Sequence, residues 1–136
     1  MSGKTILVID DEPRIVEILD GFLTLQGFEV RKAYDGKEGL DILRKTKPVD
    51  LIILDEKMPG MGGADFLKGM KELKIDIPVV ILTGSVAISQ LNHSSKKAYD
   101  HILVKPVRLS ELLELINEIL TPRAKRVSSR KAEKNK

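Results

Sequence analysis

The sequence predicts an α/β domain in which a parallel sheet carries helices on both of its faces. Four short apolar runs, rich in β-branched residues, recur along the chain and suit strands that are buried on both faces. Amphipathic segments with helical spacing lie between these runs. Because strands and helices alternate five times, the predicted architecture is (βα)5, and a chain of 136 residues fits one such domain.

The strands are predicted at the apolar runs and at one segment of mixed composition. The apolar runs are residues 6–9, 51–54, 79–82 and 102–104. The mixed segment, residues 28–34, carries three charged side chains, so we expect it at an edge of the sheet.

The first helix is predicted to begin at Pro13, which the first helical turn tolerates, and to end at Gly27. Apolar residues at helical spacing predict this helix and three more. In chain order the four sets are Ile15, Ile18, Leu19, Phe22 and Leu23; Leu40 and Leu43; Phe66, Leu67, Met70 and Leu73; and Leu109, Leu112, Leu113, Ile116 and Leu120. Parallel pairing also requires a crossover helix between the last two strands. Residues 85–99 hold four serines and few apolar side chains, so we expect a short, irregular or mobile helix there.

Charge divides the chain into two parts, a predicted folded domain (residues 1–120) and a basic tail (residues 121–136). The tail holds seven Lys/Arg and one Glu, whereas residues 1–120 carry a net charge of −3. Without apolar periodicity, the tail is predicted to be disordered. The chain has no cysteine, which excludes disulfides and cysteine-ligated metals. It also has no signal peptide and no apolar run near the ~18 residues that span a bilayer, so we expect a cytoplasmic protein without a membrane partner.

Polar residues follow the strand ends, where ligands bind in open α/β sheets. In a flavodoxin-like strand order 2-1-3-4-5, neighbouring strand ends bring together Asp10, Asp11, Asp55, Thr83 and Lys105. Gathered carboxylates repel one another unless a cation is present, and Mg²⁺ suits such oxygen ligands. Taken singly, each carboxylate could cap a helix and the lysine could be an ordinary ion-pair partner. Together they predict a phosphoryl-transfer site, with one carboxylate as nucleophile and with a metal and a lysine to neutralise charge.

Four motif regions occur in a fixed order along residues 5–120. They are VIDDE at 8–12, DLIILD at 50–55 with MPG at 58–60, LTG at 82–84 and VKP at 104–106. Thr83 follows Asp55 by 28 residues, and Lys105 follows Thr83 by 22. In this order and spacing the chain resembles the receiver domain of two-component response regulators, in a stand-alone, single-domain form.

The resemblance implies that Asp55 accepts a phosphoryl group from a sensor histidine kinase or a phosphotransfer protein, forming an aspartyl phosphate. Asp11, Asp55 and the backbone carbonyl of Lys57 would hold Mg²⁺, with Asp10 acting through water. The MPG motif would form a loop beside the site, and Lys57 would influence the lifetime of the phosphoryl group. The domain would catalyse its own phosphotransfer and autodephosphorylation but would not otherwise be an enzyme.

The resemblance also implies how the signal leaves the site. Lys105 would pair with Asp55 and then with the phosphoryl group, and the Lys105–Pro106 peptide bond would be cis. Thr83 would move toward the phosphoryl group to control an unknown downstream protein. The family usually has an aromatic residue three positions before the lysine, where this chain has Ile102. Isoleucine cannot swing a ring between exposed and buried positions, so Thr83 and Ile102 form an unusual switch pair.

Other classes of protein fit the sequence less well. A flavodoxin-like electron carrier needs a phosphate-binding loop after the first strand, where this chain has three acidic residues. A phosphatase with an aspartyl-phosphate intermediate typically has an acid where Lys57 stands. Ile102 leaves open a degenerate receiver that binds proteins independently of phosphorylation. The basic tail could contact nucleic acid non-specifically, although a solvated end is favoured.

Overall fold

The structure is a computed structural model that describes residues 3–45, 48–56, 62–84 and 101–121. Strands and helices alternate within these residues, except that β5 is the next described element after β4. Their bounds are β1 (Thr5–Ile9), α1 (Pro13–Leu25), β2 (Glu29–Ala33), α2 (Gly36–Lys45), β3 (Leu51–Asp55), α3 (Gly63–Glu72), β4 (Val79–Thr83), β5 (His101–Val104) and α4 (Leu109–Leu120). The predicted crossover helix within 85–99, Lys57 with the MPG loop, and tail residues 122–136 lie outside the described residues.

The strands form one parallel sheet in the order β2-β1-β3-β4-β5, which confirms the predicted fold class and strand order. Alternate residues of the central strands enter two separate hydrophobic clusters, as the period of two along a strand requires. In β1, for example, Ile6 and Val8 pack with α1 and α4, whereas Leu7 and Ile9 pack with α2 and α3. The sheet is therefore the middle layer of a three-layer domain.

Helix α1 occupies the predicted position, and the sheet determines which of its apolar residues are buried. Val16, Leu19 and Leu23 are buried, whereas Ile18 is 56% exposed. At about 100° per residue, Ile18 lies roughly 200° around the helix from Val16 and therefore points away from the sheet. Gly27 follows the helix with a φ of 96°, a conformation that favours glycine.

The two edge strands are protected in different ways. At the β2 edge, Lys32 bridges to Glu17 at 3.5 Å and to Asp20 at 3.3 Å on α1. The hydrogen bond to Asp20 and the attraction of both carboxylates raise the pKa of Lys32. At the opposite edge, β5 is only partly buried and Val104 is 37% exposed. The expectation that this apolar run is buried on both faces is wrong, because a strand at the edge of a sheet has one neighbour only.

Two glycines let α2 and α3 approach closely. A Cβ atom at Gly39 would lie 2.6 Å from Cδ1 of Ile9 and 3.1 Å from a ring carbon of Phe66. A Cβ atom at Gly69 would lie 2.6 Å from Cδ1 of Leu40. All three distances are below van der Waals contact, so a larger residue at either position would force a neighbouring side chain to shift.

Candidate functional site

Polar side chains gather where the central strands end. Asp10 directly follows β1, Asp55 ends β3 and Thr83 ends β4, while Lys105 directly follows β5. The parallel register places these ends side by side, with Asp55 opposite Leu82 and Thr83 opposite Val104. Asp10, Asp55 and Thr83 are 2%, 6% and 1% exposed, which is unusual for polar residues that lack a function.

Three carboxylates form an acidic cluster, defined by Asp10, Asp11 and Asp55. Their oxygens lie within 4.8 Å of one another. Oδ1 of Asp10 accepts a hydrogen bond from the backbone N–H of Glu12 at 2.9 Å, while its buried Oδ2 has no hydrogen-bond partner within the described part of the chain. Burial, together with the charges of Asp55 and Asp11, raises the pKa of Asp10 to about 6, although the Glu12 N–H opposes this rise.

Lys105 brings a positive charge to this cluster. Its Nζ donates a hydrogen bond of 2.7 Å to Oδ1 of Asp55. Burial raises the pKa of Asp55, and Lys105 opposes that rise. Burial also acts against the charge on Lys105, but the hydrogen bond and the negative charge of Asp55 outweigh it and raise the pKa of Lys105. The lysine is therefore protonated at neutral pH.

Glu56 is a part of the site that the sequence did not predict. The Thr83 hydroxyl donates a hydrogen bond of 3.3 Å to Oε1 of Glu56. The backbone N–H of Glu56 continues the β3–β4 pairing by donating to the carbonyl of Leu82 at 3.0 Å. The register explains the contact: because Asp55 pairs with Leu82, the next residues of the two strands, Glu56 and Thr83, are neighbours.

Ile102 and the proline after Lys105 lie beside the site. Ile102 pairs with Ile81 across the β4–β5 register and packs against the α2–α3 cluster, so it belongs to the hydrophobic layer. The Lys105–Pro106 peptide bond is cis, as expected. The backbone N–H of Lys105 donates to the carbonyl of Thr83 at 2.7 Å, which ties the two residues together at the end of the sheet.

The acidic cluster fits a hard divalent cation. Oxygen atoms from a few carboxylates, completed by water and a backbone carbonyl, are the ligands that Mg²⁺ prefers. Asp10 Oδ2 is a buried oxygen without a partner among the described residues, and a cation or its bound water would satisfy it. Of the predicted ligands, Asp10, Asp11 and Asp55 come together here, whereas Lys57 lies outside the described residues.

A doubly wound parallel sheet with an acidic cluster and a lysine at its carboxyl edge defines a class of signalling domain with a candidate phosphoacceptor site. The chain belongs to the response regulator receiver domain family, which matches residues 6–117. Members of this family are signalling domains that bind Mg²⁺ at their acidic pocket, and they are not typical enzymes.

Individual relatives agree with this assignment. The transcriptional regulatory protein PrrA of Mycobacterium leprae is 32% identical over 129 residues, which are 95% of this chain and 55% of PrrA. The response regulator SaeR of Staphylococcus aureus is 33% identical over 116 residues, 85% of this chain and 50% of SaeR. The chain thus spans about half the length of these curated relatives.

Solved structures show the same fold. The response regulator TrrA of Thermotoga maritima, in complex with Mg²⁺ and BeF, superposes with a TM-score of 0.75 at 34% identity, covering 86% of this chain and 99% of TrrA. A receiver domain protein from Clostridium thermocellum gives a TM-score of 0.78 at 33% identity, covering 89% of this chain and 97% of that protein. Across the described residues, no helix is both long and apolar enough to cross a membrane.

Proposed function

We propose that this domain accepts a phosphoryl group from a phosphohistidine donor on Asp55 and changes conformation to control a partner protein. One observation carries the proposal. Asp55 is 6% exposed, pairs with Lys105 at 2.7 Å, and lies within 4.8 Å of the carboxylates of Asp10 and Asp11. A buried carboxylate with both a cationic partner and a place for a metal is suited to nucleophilic attack on phosphorus.

The proposed transfer replaces one bond to phosphorus by another. A carboxylate oxygen of Asp55 attacks the phosphorus, an O–P bond forms, and the P–N bond to the donor histidine breaks. The imidazole leaves with the electron pair of that bond. Lys105 then exchanges its ion pair with the Asp55 carboxylate for one with a phosphoryl oxygen, so its charge stays neutralised throughout. Thr83, at the end of the neighbouring strand, donates a hydrogen bond from its hydroxyl to a phosphoryl oxygen.

In this proposal Asp11, Asp55 and the backbone carbonyl of Lys57 hold Mg²⁺ directly, and Asp10 holds it through water. When bound, Mg²⁺ supplies positive charge that offsets the crowding of the acidic cluster and of the phosphoryl oxygens. The donor set and the unsatisfied Asp10 Oδ2 support this assignment.

A sensor histidine kinase or a phosphotransfer protein is the proposed donor, in the cytoplasm, and the downstream target is a protein. The names of the relatives, a transcriptional regulatory protein and a response regulator, support a signalling role. A phosphorylation-independent binding module is disfavoured, because such a module has no need for the buried Asp55–Lys105 pair beside the acidic cluster.

The intact mass of the protein after incubation with Mg²⁺ and acetyl phosphate tests the proposal. We expect the wild type to gain one phosphoryl group and Asp55→Ala to gain none. If neither protein gains mass, a beryllofluoride titration separates two explanations. Binding means a receiver that hydrolyses its phosphoryl group quickly, whereas no binding overturns the proposal in favour of a phosphorylation-independent binding module.

A further inference from the structure

Glu56, the residue after the proposed phosphoacceptor, holds the hydroxyl of Thr83. Oε1 of Glu56 accepts that hydrogen bond at 3.3 Å. Thr83 is 1% exposed and Glu56 is partly buried, so water competes weakly for either group. The charge of the acceptor and its partial burial favour this bond, but at 3.3 Å it is longer than the usual range of about 2.5–3.0 Å between two oxygens, so its net strength is modest.

Backbone hydrogen bonds hold both residues of this pair. Glu56 donates its N–H to Leu82 at 3.0 Å and accepts the N–H of Gly63 at 3.2 Å. The carbonyl of Thr83 accepts the N–H of Lys105 at 2.7 Å. Thr83 can therefore exchange hydrogen-bond acceptors by rotating its side chain, without loss of any of these backbone bonds.

A threonine hydroxyl has one proton to donate. In the proposed function the hydroxyl donates its one hydrogen bond to the phosphoryl group on Asp55, whereas in the structure it donates that bond to Glu56. The two acceptors therefore exclude each other. A state that requires Thr83 at the phosphoryl group must first give up the bond to Glu56, and the strength of that bond enters the equilibrium between the two states.

We propose that Glu56 is a positioning residue that retains Thr83 in the unphosphorylated arrangement and so weakens the response to phosphorylation. The inference rests on the proposed function, because it requires a phosphoryl group or its mimic on Asp55. Removal of the Glu56 side chain therefore shifts the equilibrium toward the arrangement in which Thr83 contacts the phosphoryl group.

The negative charge of Glu56 would by itself also explain tighter binding of an anion when this side chain is removed. The Glu56 carboxylate adds to the negative charge around Asp55, so its removal would favour any anion at the site, whatever Thr83 does. The two effects differ in one respect. The charge effect persists when the Thr83 hydroxyl is absent, whereas the positioning effect vanishes with it. A double-mutant cycle therefore separates them.

The experiment measures the apparent Kd of beryllofluoride at saturating Mg²⁺ by ¹⁹F NMR. In the background that retains Thr83 we expect Glu56→Ala to bind about three- to fivefold more tightly, because a hydrogen bond of this length has a net value of at most about 1 kcal/mol. Glu56→Gln keeps a neutral acceptor and should give a smaller gain. With Thr83→Val, which removes the hydroxyl, Glu56→Ala should change the affinity less than about twofold. Thr83→Ser, which restores a hydroxyl, should restore the gain.

Three other outcomes would contradict either the role proposed for Glu56 or the proposed function. Equal gains from Glu56→Ala with and without the Thr83→Val substitution would mean that Glu56 acts by charge alone, and no gain in the background that retains Thr83 would mean that it does not oppose the switch. Wild type that fails to bind beryllofluoride would instead overturn the proposed function itself. Asp55→Ala, which should not bind, is the control, and Glu56→Gln, nearly isosteric with the native side chain, tests the inference if Glu56→Ala does not fold.

Discussion

At the scale of single residues, Asp10 is the group that the fold accommodates least easily. It is 2% exposed, one of its oxygens has no partner among the described residues, and two further carboxylates lie within 4.8 Å. Burying a charge without a full set of partners costs free energy of folding. A residue that destabilises the metal-free fold in this way indicates a bound ligand that stabilises the folded state.

The pH dependence of stability should report this cost. Without Mg²⁺, the pKa of Asp10 is raised from 3.8 to about 6 in the folded protein. The folded state therefore holds this proton more tightly than the unfolded state. The resulting contribution to stability is fully present below the unfolded pKa and is lost as the pH rises through about 6.

We expect Asp10→Asn to stabilise the Mg²⁺-free protein at pH 7 by up to about 3 kcal/mol, the value of a shift of roughly two pKa units. Near pH 4 the two proteins should differ little, because Asp10 is then protonated. Urea unfolding in EDTA across this pH range measures the difference. Parallel pH profiles for the two proteins would contradict the explanation.

At the scale of secondary-structure elements, the outer face of α1 combines exposure with apolar character. Ile18 is 56% exposed and lies beside a shallow groove lined by Pro13, Arg14 and Glu17. The helix begins only two residues after Asp11, so its first two turns flank the acidic cluster. A protein that delivers a phosphoryl group to Asp55 must approach this edge of the sheet.

We expect Ile18→Asp to slow phosphoryl transfer from the cognate histidine donor at least tenfold while leaving phosphorylation by acetyl phosphate unchanged. Loss of a buried apolar contact and burial of an unpaired charge both weaken a protein interface. Leu25→Asp is the matched control, since Leu25 is 85% exposed but lies seven residues further along α1, about 10 Å away. Equal slowing by both substitutions would argue against a contact at Ile18.

The close packing of α2 predicts opposite effects for the same substitution in two helices. Gly39→Ala should destabilise the protein by about 1–3 kcal/mol, because the added methyl group overlaps Ile9 and Phe66. Gly21→Ala in α1 should stabilise it by up to about 1 kcal/mol, because nothing lies within 4 Å of the added atom and alanine favours a helix. Thermal unfolding of both variants provides the comparison, and a shift of equal sign in both would contradict the packing argument.

At the scale of the whole molecule, the acidic cluster is a candidate Mg²⁺ site that only the folded state presents. The cluster draws Asp10, Asp11 and Asp55 from the ends of two separate strands, so an unfolded chain does not present it. A ligand that binds only the folded form stabilises it in proportion to the logarithm of its concentration.

We therefore expect Mg²⁺ at about 100 times its Kd to stabilise the wild type by about 2.7 kcal/mol. The shift in Tm between Mg²⁺ and EDTA should be much smaller in Asp55→Ala, which removes a proposed ligand. Na⁺ at equal ionic strength controls for screening. An equal Mg²⁺ shift in both proteins would place the cation elsewhere.

Sequence patterns predicted the whole molecule better than they predicted its side-chain contacts. The apolar runs identified β1 and β3 because strands buried on both faces leave no polar positions. The spacing predicted helix α1 but not its buried face, because apolar residues at 15, 18, 19 and 22 and at 16, 19 and 23 both fit helical spacing. Only the position of the sheet decides between the two sets.

For the site, too, sequence patterns predicted the overall arrangement but not the individual side-chain contacts. Convergence of the acidic residues follows from strand order alone, which a pattern of strands and helices can predict. The Thr83–Glu56 hydrogen bond depends on the residue-by-residue register of β3 against β4 and on two rotamers. Neither is encoded in local periodicity, so this contact had to come from the structure.

The Asp55–Lys105 ion pair has a further consequence for the reactivity of the domain toward acyl phosphates. Such donors offer two electrophilic atoms, the phosphorus and the acyl carbon, and a free amine attacks the carbon. The bond of 2.7 Å to Asp55 helps to raise the pKa of Lys105, so this amine is protonated and has no lone pair to offer. Acyl transfer to this lysine is thereby suppressed, which leaves the proposed nucleophile, the Asp55 carboxylate, as the reactive group of the pair. The pair thus protects Lys105 from acylation.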